Sequence, residues 1–247
     1  MCRLFSWVSD SPISTAQALG TDLPLLTDLS SIHKDGWGGA FLDSNGSITL
    51  EKDTAPANES DLYKKVIDEY LTSCGMVHLR WATGNYQVCV ENTHPFVNQG
   101  MAFEHNGGFE NATELEPLID KDLLSSKQGE TDSEWYFLYL QTLIRSEGSV
   151  EAAYRKLIPV MQELCPYSSL NSMIVTPDYL YVVSAHNPER LPNGMEHDYY
   201  HLSWDQVSGV TSAWSSGVRN RTGKPLANYH VLRVSNATQE CTISPIL

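Results

Sequence analysis

The chain has 247 residues, 41% of them apolar and 19% charged, a composition that excludes a disordered or collagen-like protein. Its 30 Asp and Glu against 16 Lys and Arg give a net charge of −14, which leaves no basic stripe for nucleic acid. No stretch approaches the roughly 20 apolar residues of a membrane span, so no membrane partner is expected. Short apolar runs punctuated by glycine come first in the chain. Leu4–Val8, Trp37–Leu42, Ser47–Glu51 and Gly75–Leu79 read as strands, and Asn45-Gly46 marks a hairpin turn because both central positions favour positive φ. Asp61–Leu71 carries Leu62, Val66, Ile67 and Tyr70 at helical spacing. Thr131-Asp132-Ser133-Glu134 has the pattern of a capping box before a helix over Trp135–Ile144, with Gly148 as its stop. Ser149 opens a second helix that runs to about Leu164, with a kink expected at Pro159. Strands return at Ser172–Val175, Leu180–Ser184, His197–Leu202, His230–Val234 and Cys241–Ile243. No linker or repeat interrupts the chain, so residues 1–247 are expected to form a single domain of two packed sheets with helices outside.

The segment Met1-Cys2-Arg3-Leu4-Phe5-Ser6-Trp7 has no apolar core and no small-residue cleavage site, so no signal peptide is expected and the cytoplasm is the expected location. Five cysteines (Cys2, Cys74, Cys89, Cys165 and Cys241) show no CxxC spacing and no nearby His pair, which points to neither a zinc site nor a disulfide framework. No metal or cofactor is expected. Cys74, Cys89, Cys165 and Cys241 read as small buried apolar residues.

Cys2 is different. Methionine is commonly removed before a small second residue, which leaves a cysteine thiol beside its own α-amine. That amine has a pKa of about 7.7–8.0 and serves as a base for the thiol. Arg80-Trp81-Ala82-Thr83 follows a strand, Asn92-Thr93-His94-Pro95 is a polar loop, and His105-Asn106-Gly107-Gly108 closes another strand. Asn106 and Gly107 offer a side-chain and a backbone N–H, the donor pair that an oxyanion hole requires. Trp37 and Phe96 read as pocket wall or core.

Together with Asp35-Gly36-Trp37-Gly38 and Glu130-Thr131-Asp132-Ser133-Glu134, and in this order, these segments resemble the class II glutamine amidotransferases of the N-terminal nucleophile hydrolase superfamily. The resemblance spans residues 2–134. It implies an α+β, four-layer αββα sandwich in which Cys2 attacks the side-chain amide of a γ-glutamyl group. Asn106 and Gly107 would hold the oxyanion, Arg80 the α-carboxylate and Asp132 the α-ammonium, with Trp81, Thr83 and His94 forming the substrate pocket. An arginine fork suits a carboxylate bidentately, and an aspartate suits an ammonium.

Neither a GxxxxGK[ST] loop nor a GxGxxG follows Asp132, so the chain is similar to small stand-alone members. Those include the γ-glutamyl hydrolase of ergothioneine synthesis and the amidotransferase-like subunit of glutathione degradation. Three readings stay open: a hydrolase of γ-glutamyl amides, a glutaminase subunit that feeds a separate synthase, and a non-catalytic binding protein. The expected partner is a small γ-glutamyl molecule, with a homodimer or a synthase or peptidase subunit as further options. The loops expected to select the amine side are Ser9–Asp28 and Asn187–His197.

Overall fold

A computed structural model of the chain describes residues 2–83, 86–192 and 194–247. The chain opens with β1 (Arg3–Ile13), α1 (Thr15–Leu19), α2 (Leu23–Leu29), β2 (Trp37–Leu42), β3 (Ile48–Asp53), α3 (Asp61–Glu69) and β4 (Thr72–Leu79). It continues through β5 (Phe96–Asn98), β6 (Met101–Phe109), α4 (Lys121–Leu124), α5 (Asp132–Glu147) and α6 (Val150–Leu164). The remainder holds β7 (Tyr167–Val175), β8 (Tyr179–Ser184), β9 (Leu202–Val207), β10 (Val210–Ser215), β11 (Lys224–Leu226), β12 (His230–Ser235) and β13 (Cys241–Pro245).

Two antiparallel sheets form, in the orders β11-β9-β10-β1-β4-β2-β3 and β13-β12-β8-β7-β6-β5. Side chains alternate across each strand, so both faces of both sheets must find cover. On β1, Leu4 and Val8 meet Met76, Met173 and Val182 between the sheets, while Phe5 and Trp7 face outward onto Leu19, Leu26 and Val66. A third cluster joins Phe103, Leu170 and Ile174 to Phe137, Tyr154 and Leu157 of α5 and α6. Three apolar interfaces between four layers make the αββα sandwich.

The helix caps are satisfied as their sequences imply. The side chains of Ser60, Thr131 and Ser149 accept from the third backbone N–H of α3, α5 and α6, and Gly148 closes α5 in the left-handed region at φ 77°. The Thr131 box is only half formed, because the Glu134 carboxylate turns to the Gln128 and Gly129 N–H groups, both at 2.7 Å. Gly46 turns the β2–β3 hairpin at φ 80°.

Several expectations are corrected. The strand placed at His197–Leu202 begins only at Leu202, because Tyr199 and Tyr200 are buried in a turn. Ser9–Asp28 is not a loop; it holds the end of β1 and the helices α1 and α2, packed on the outer face of the first sheet. Cys89 and Cys241 are only half-buried, whereas Cys74 and Cys165 are buried.

Candidate active site

The fold brings four chain segments to one end of the sandwich. Arg3 pairs with Leu79 in the β1–β4 register, which sets Cys2 beside Arg80. The end of β6 supplies Asn106 and Gly107 from the other sheet, and the N-terminus of α5 supplies Asp132. Cys2, Arg80, Trp81, Thr83, His94, Gly107 and Asp132 line one enclosed pocket. An open cleft of about 790 Å³ adjoins it, sharing Thr83, Tyr86 and Asp132.

Cys2 is 9% exposed, and its Sγ lies 3.9 Å from the Trp81 carbonyl. Burial pushes its thiol up, against the opposing pull of the Arg80 and Arg3 charges. Met1, whose removal the sequence reading expects, lies outside the described residues.

Arg80 is 3% exposed, and among the described residues its guanidinium donates to the Asp35 and Gln87 carbonyls, at 3.4 and 3.3 Å. Burial lowers its pKa, with Cys2 and Asp35 opposing. Among the described residues no carboxylate pairs with it. Asp132 likewise has no cationic partner there; its carboxylate accepts from the backbone N–H of Phe109 at 3.1 Å and of Ser133 at 2.8 Å. The pocket therefore presents one buried cation and one buried anion, each held by backbone groups and neither neutralised by a side chain. Such charges are costly unless a ligand completes them.

Asn106 is fully buried, and neither its amide nitrogen nor its amide oxygen has a partner. At Gly107 a Cβ would run into the Ser169 carbonyl of β7 and the His105 ring, so only glycine allows this approach. His105 Nε2–H donates to that Ser169 carbonyl at 2.9 Å, which leaves Nδ1 to accept from the Ser133 hydroxyl at 2.8 Å. The ring is thus neutral and ties β6 to the start of α5. Burial also holds His78 and His94 neutral; their rings lie 4.4 Å apart. Trp81 is half-exposed at the pocket mouth, whereas Trp37 and Phe96 are core.

Two pocket-building residues sit in segments the sequence singled out without assigning them a role. Asp35 Oδ2 accepts the Ala82 N–H at 2.8 Å and so holds the Arg80–Thr83 segment. Asn92 bridges two loops through its amide. His78 was legible in principle, since it continues the inward alternation of Cys74 and Met76 on β4.

The family model of the class II glutamine amidotransferases matches residues 1–191. The chain belongs to that family. This class II amidotransferase chain is 32% identical to YafJ of Escherichia coli, which carries a glutamine amidotransferase name, over 58% of its own length and 57% of that protein. It is 25% identical to a Haemophilus influenzae protein named in the same way, over 74% of its length and 68% of that protein. A glutamine–fructose-6-phosphate aminotransferase of Rhizobium meliloti is 29% identical over 60% of the chain, yet only 23% of that enzyme is matched. The chain thus spans little more than half of YafJ and under a quarter of the aminotransferase. Among solved structures, a glutamine aminotransferase class-II domain protein from Silicibacter pomeroyi superposes with a TM-score of 0.68 at 16% identity, covering 99% of both chains. The glutamine phosphoribosylpyrophosphate amidotransferase of Bacillus subtilis superposes with a TM-score of 0.64 at 18% identity, over the whole of this chain and 49% of that one. Both place this chain in the N-terminal nucleophile fold.

Proposed function

We propose that this amidotransferase-family chain hydrolyses a γ-glutamyl amide, glutamine or a γ-glutamyl conjugate, to glutamate and ammonia or an amine. The observation that carries the reading is the pair of uncompensated buried charges, Arg80 and Asp132, in one pocket with the Cys2 thiol. A free amino-acid head group supplies the carboxylate and the ammonium that these two charges lack.

With Met1 removed, the α-amine of Cys2 takes the thiol proton, which the buried thiol does not give up unaided. The thiolate adds to the amide carbon, and negative charge develops on the amide oxygen. The unpaired Asn106 amide and the Gly107 N–H are the donors for that oxygen. Collapse breaks the C–N bond, the departing nitrogen takes the proton from the α-ammonium, and a thioester remains. Water then adds to the thioester, and glutamate leaves.

The test is glutamate release from glutamine and from γ-glutamylcysteine, side by side, with a Cys2→Ala control. Release that vanishes in Cys2→Ala supports the reading, and equal release by both proteins ends it. A second reading rests on the resemblance to the much longer aminotransferases: a glutaminase subunit that passes ammonia to a synthase. Slow release from glutamine alone favours that subunit, whereas preference for the larger amide favours the stand-alone hydrolase. Head-group binding with no acyl-enzyme favours a non-catalytic binding protein.

A further inference from the structure

The two charges that read the head group stand on different segments, Arg80 after β4 and Asp132 at the start of α5, and the loops leading from the one and into the other meet at one side chain. Asn92 is 1% exposed, and both ends of its amide are used. Its Nδ2–H donates to the Gln87 carbonyl at 3.0 Å, and its Oδ1 accepts the Glu130 N–H at 2.8 Å. The Gln87 carbonyl is also an acceptor for Arg80 Nη2, at 3.3 Å. Glu130 lies two residues before Asp132. A continuous path therefore runs from the Arg80 guanidinium through a carbonyl, one amide side chain and a backbone N–H to the segment that carries Asp132.

Both flanks of this bridge are fixed. On one side, Thr93 Oγ1 donates to the Cys89 carbonyl at 2.8 Å and the Thr93 N–H to the Val90 carbonyl at 3.1 Å, which tightens the turn that presents Asn92. On the other, the Glu134 carboxylate holds Gln128 and Gly129 to the first turn of α5. The loops press together so closely that a Cβ on Gly129 would come within 2.5 Å of Asn92 Oδ1 and 2.6 Å of the Glu91 carbonyl. With rigid flanks, removing the bridge alters the separation of the two charges rather than either charge itself.

We propose that Asn92 is a positioning residue that sets the spacing between Arg80 and Asp132, so that the site prefers ligands carrying a carboxylate and an ammonium on the same carbon. This inference rests on the head-group assignment under Proposed function and adds the element that couples its two halves. Two anchors held at fixed spacing reinforce one another, because the first contact removes the orientational freedom that the second must otherwise restrict. A ligand with one anchor gains nothing from the spacing.

The test uses binding in the Cys2→Ala background, read by ligand-observed NMR titration, so that turnover plays no part. The ligands are L-glutamine, glutaramate, which lacks the ammonium, and 4-aminobutanamide, which lacks the carboxylate. Adding Asn92→Ala is expected to weaken L-glutamine at least tenfold, while each single-anchor ligand changes less than threefold. Asn92→Asp keeps the acceptor for Glu130, loses the donor to Gln87 and nearly preserves volume; it is expected to fall between the two and covers the case in which the alanine variant does not fold. Equal weakening of all three ligands makes Asn92 a general structural residue and overturns the coupling, as does no change in any. Glutamine binding no tighter than the analogues before Asn92 is altered removes the head-group assignment and the coupling together. Absent hydrolysis with intact two-anchor binding instead removes the proposed reaction and leaves the coupling in place.

Discussion

Asn106 is buried with its amide nitrogen and oxygen both unpartnered, at a cost of about 1–3 kcal/mol for a stranded polar group. Under the proposed reaction, that amide is a donor to the oxyanion, so its energetic return falls in the transition state. Asn106→Ala is therefore expected to lower kcat by about 10²–10³ while leaving the thermal midpoint unchanged or raised, a pairing read by steady-state rates beside calorimetry. Its neighbour behaves in the opposite sense. Gly107→Ala drives a methyl into the Ser169 carbonyl and the His105 ring, and we expect a loss of about 1–3 kcal/mol in a denaturant melt. At this scale the sequence carried the residue types that the proposed chemistry needs, Cys2, Arg80, Asn106, Gly107 and Asp132, because that chemistry is local to each residue. It could not carry Asn92 as a bridge, since its partners Gln87 and Glu130 are joined to it only through folded loops.

Among the elements, α5 presents Asp132 to the pocket from its first turn. Thr131 caps it, its side chain accepting the Glu134 N–H at 3.3 Å, and Asp132 occupies the first turn, where the helix dipole favours a carboxylate. Thr131→Ala is expected to cost ~1 kcal/mol of stability and to raise KM for glutamine more than it lowers kcat, because Asp132 then hangs from a frayed turn. Urea melts and steady-state kinetics measure the two effects. The helices α3, α5 and α6 were legible because each has a Ser or Thr cap and an apolar stripe. The helices α1 and α2, five and seven residues long, are too short to show a period. The strand β10 escaped notice for a different reason. Its Ser212 and Ser215 break the apolar run, yet Ser212 bonds to Asp205 and Ser215 takes the Leu4 N–H, partners that only the sheet provides.

Across the whole molecule, the inter-sheet layer holds a buried acid. Glu104 points inward from β6, fully buried, with neither carboxyl oxygen partnered, and burial pushes its pKa well above the ordinary value. The folded state thus keeps a proton that the unfolded chain releases above about pH 4.3. Over that range the unfolded chain binds fewer protons, so this residue's contribution to stability falls as pH rises. Glu104→Gln, which stays neutral, is expected to be more stable than wild type at pH 7–8, with the advantage shrinking toward pH 4.5. Chemical melts at several pH values read the difference. Four layers were legible from the order of strands and helices; an acid sealed between the sheets was not, since its inward direction depends on register. The same sheet order sets a timetable for the end of the sandwich that carries Cys2. β1 lies between β4 and β10, and its Leu4 N–H waits for the Ser215 hydroxyl, 211 residues further on. At about 5–20 residues per second, a ribosome needs roughly ten to forty seconds to deliver that neighbour after Leu4 has been made. Until Ser215 is made, the edge of β1 that faces β10 has no neighbour, so the sheet beside Cys2 is completed only late in synthesis.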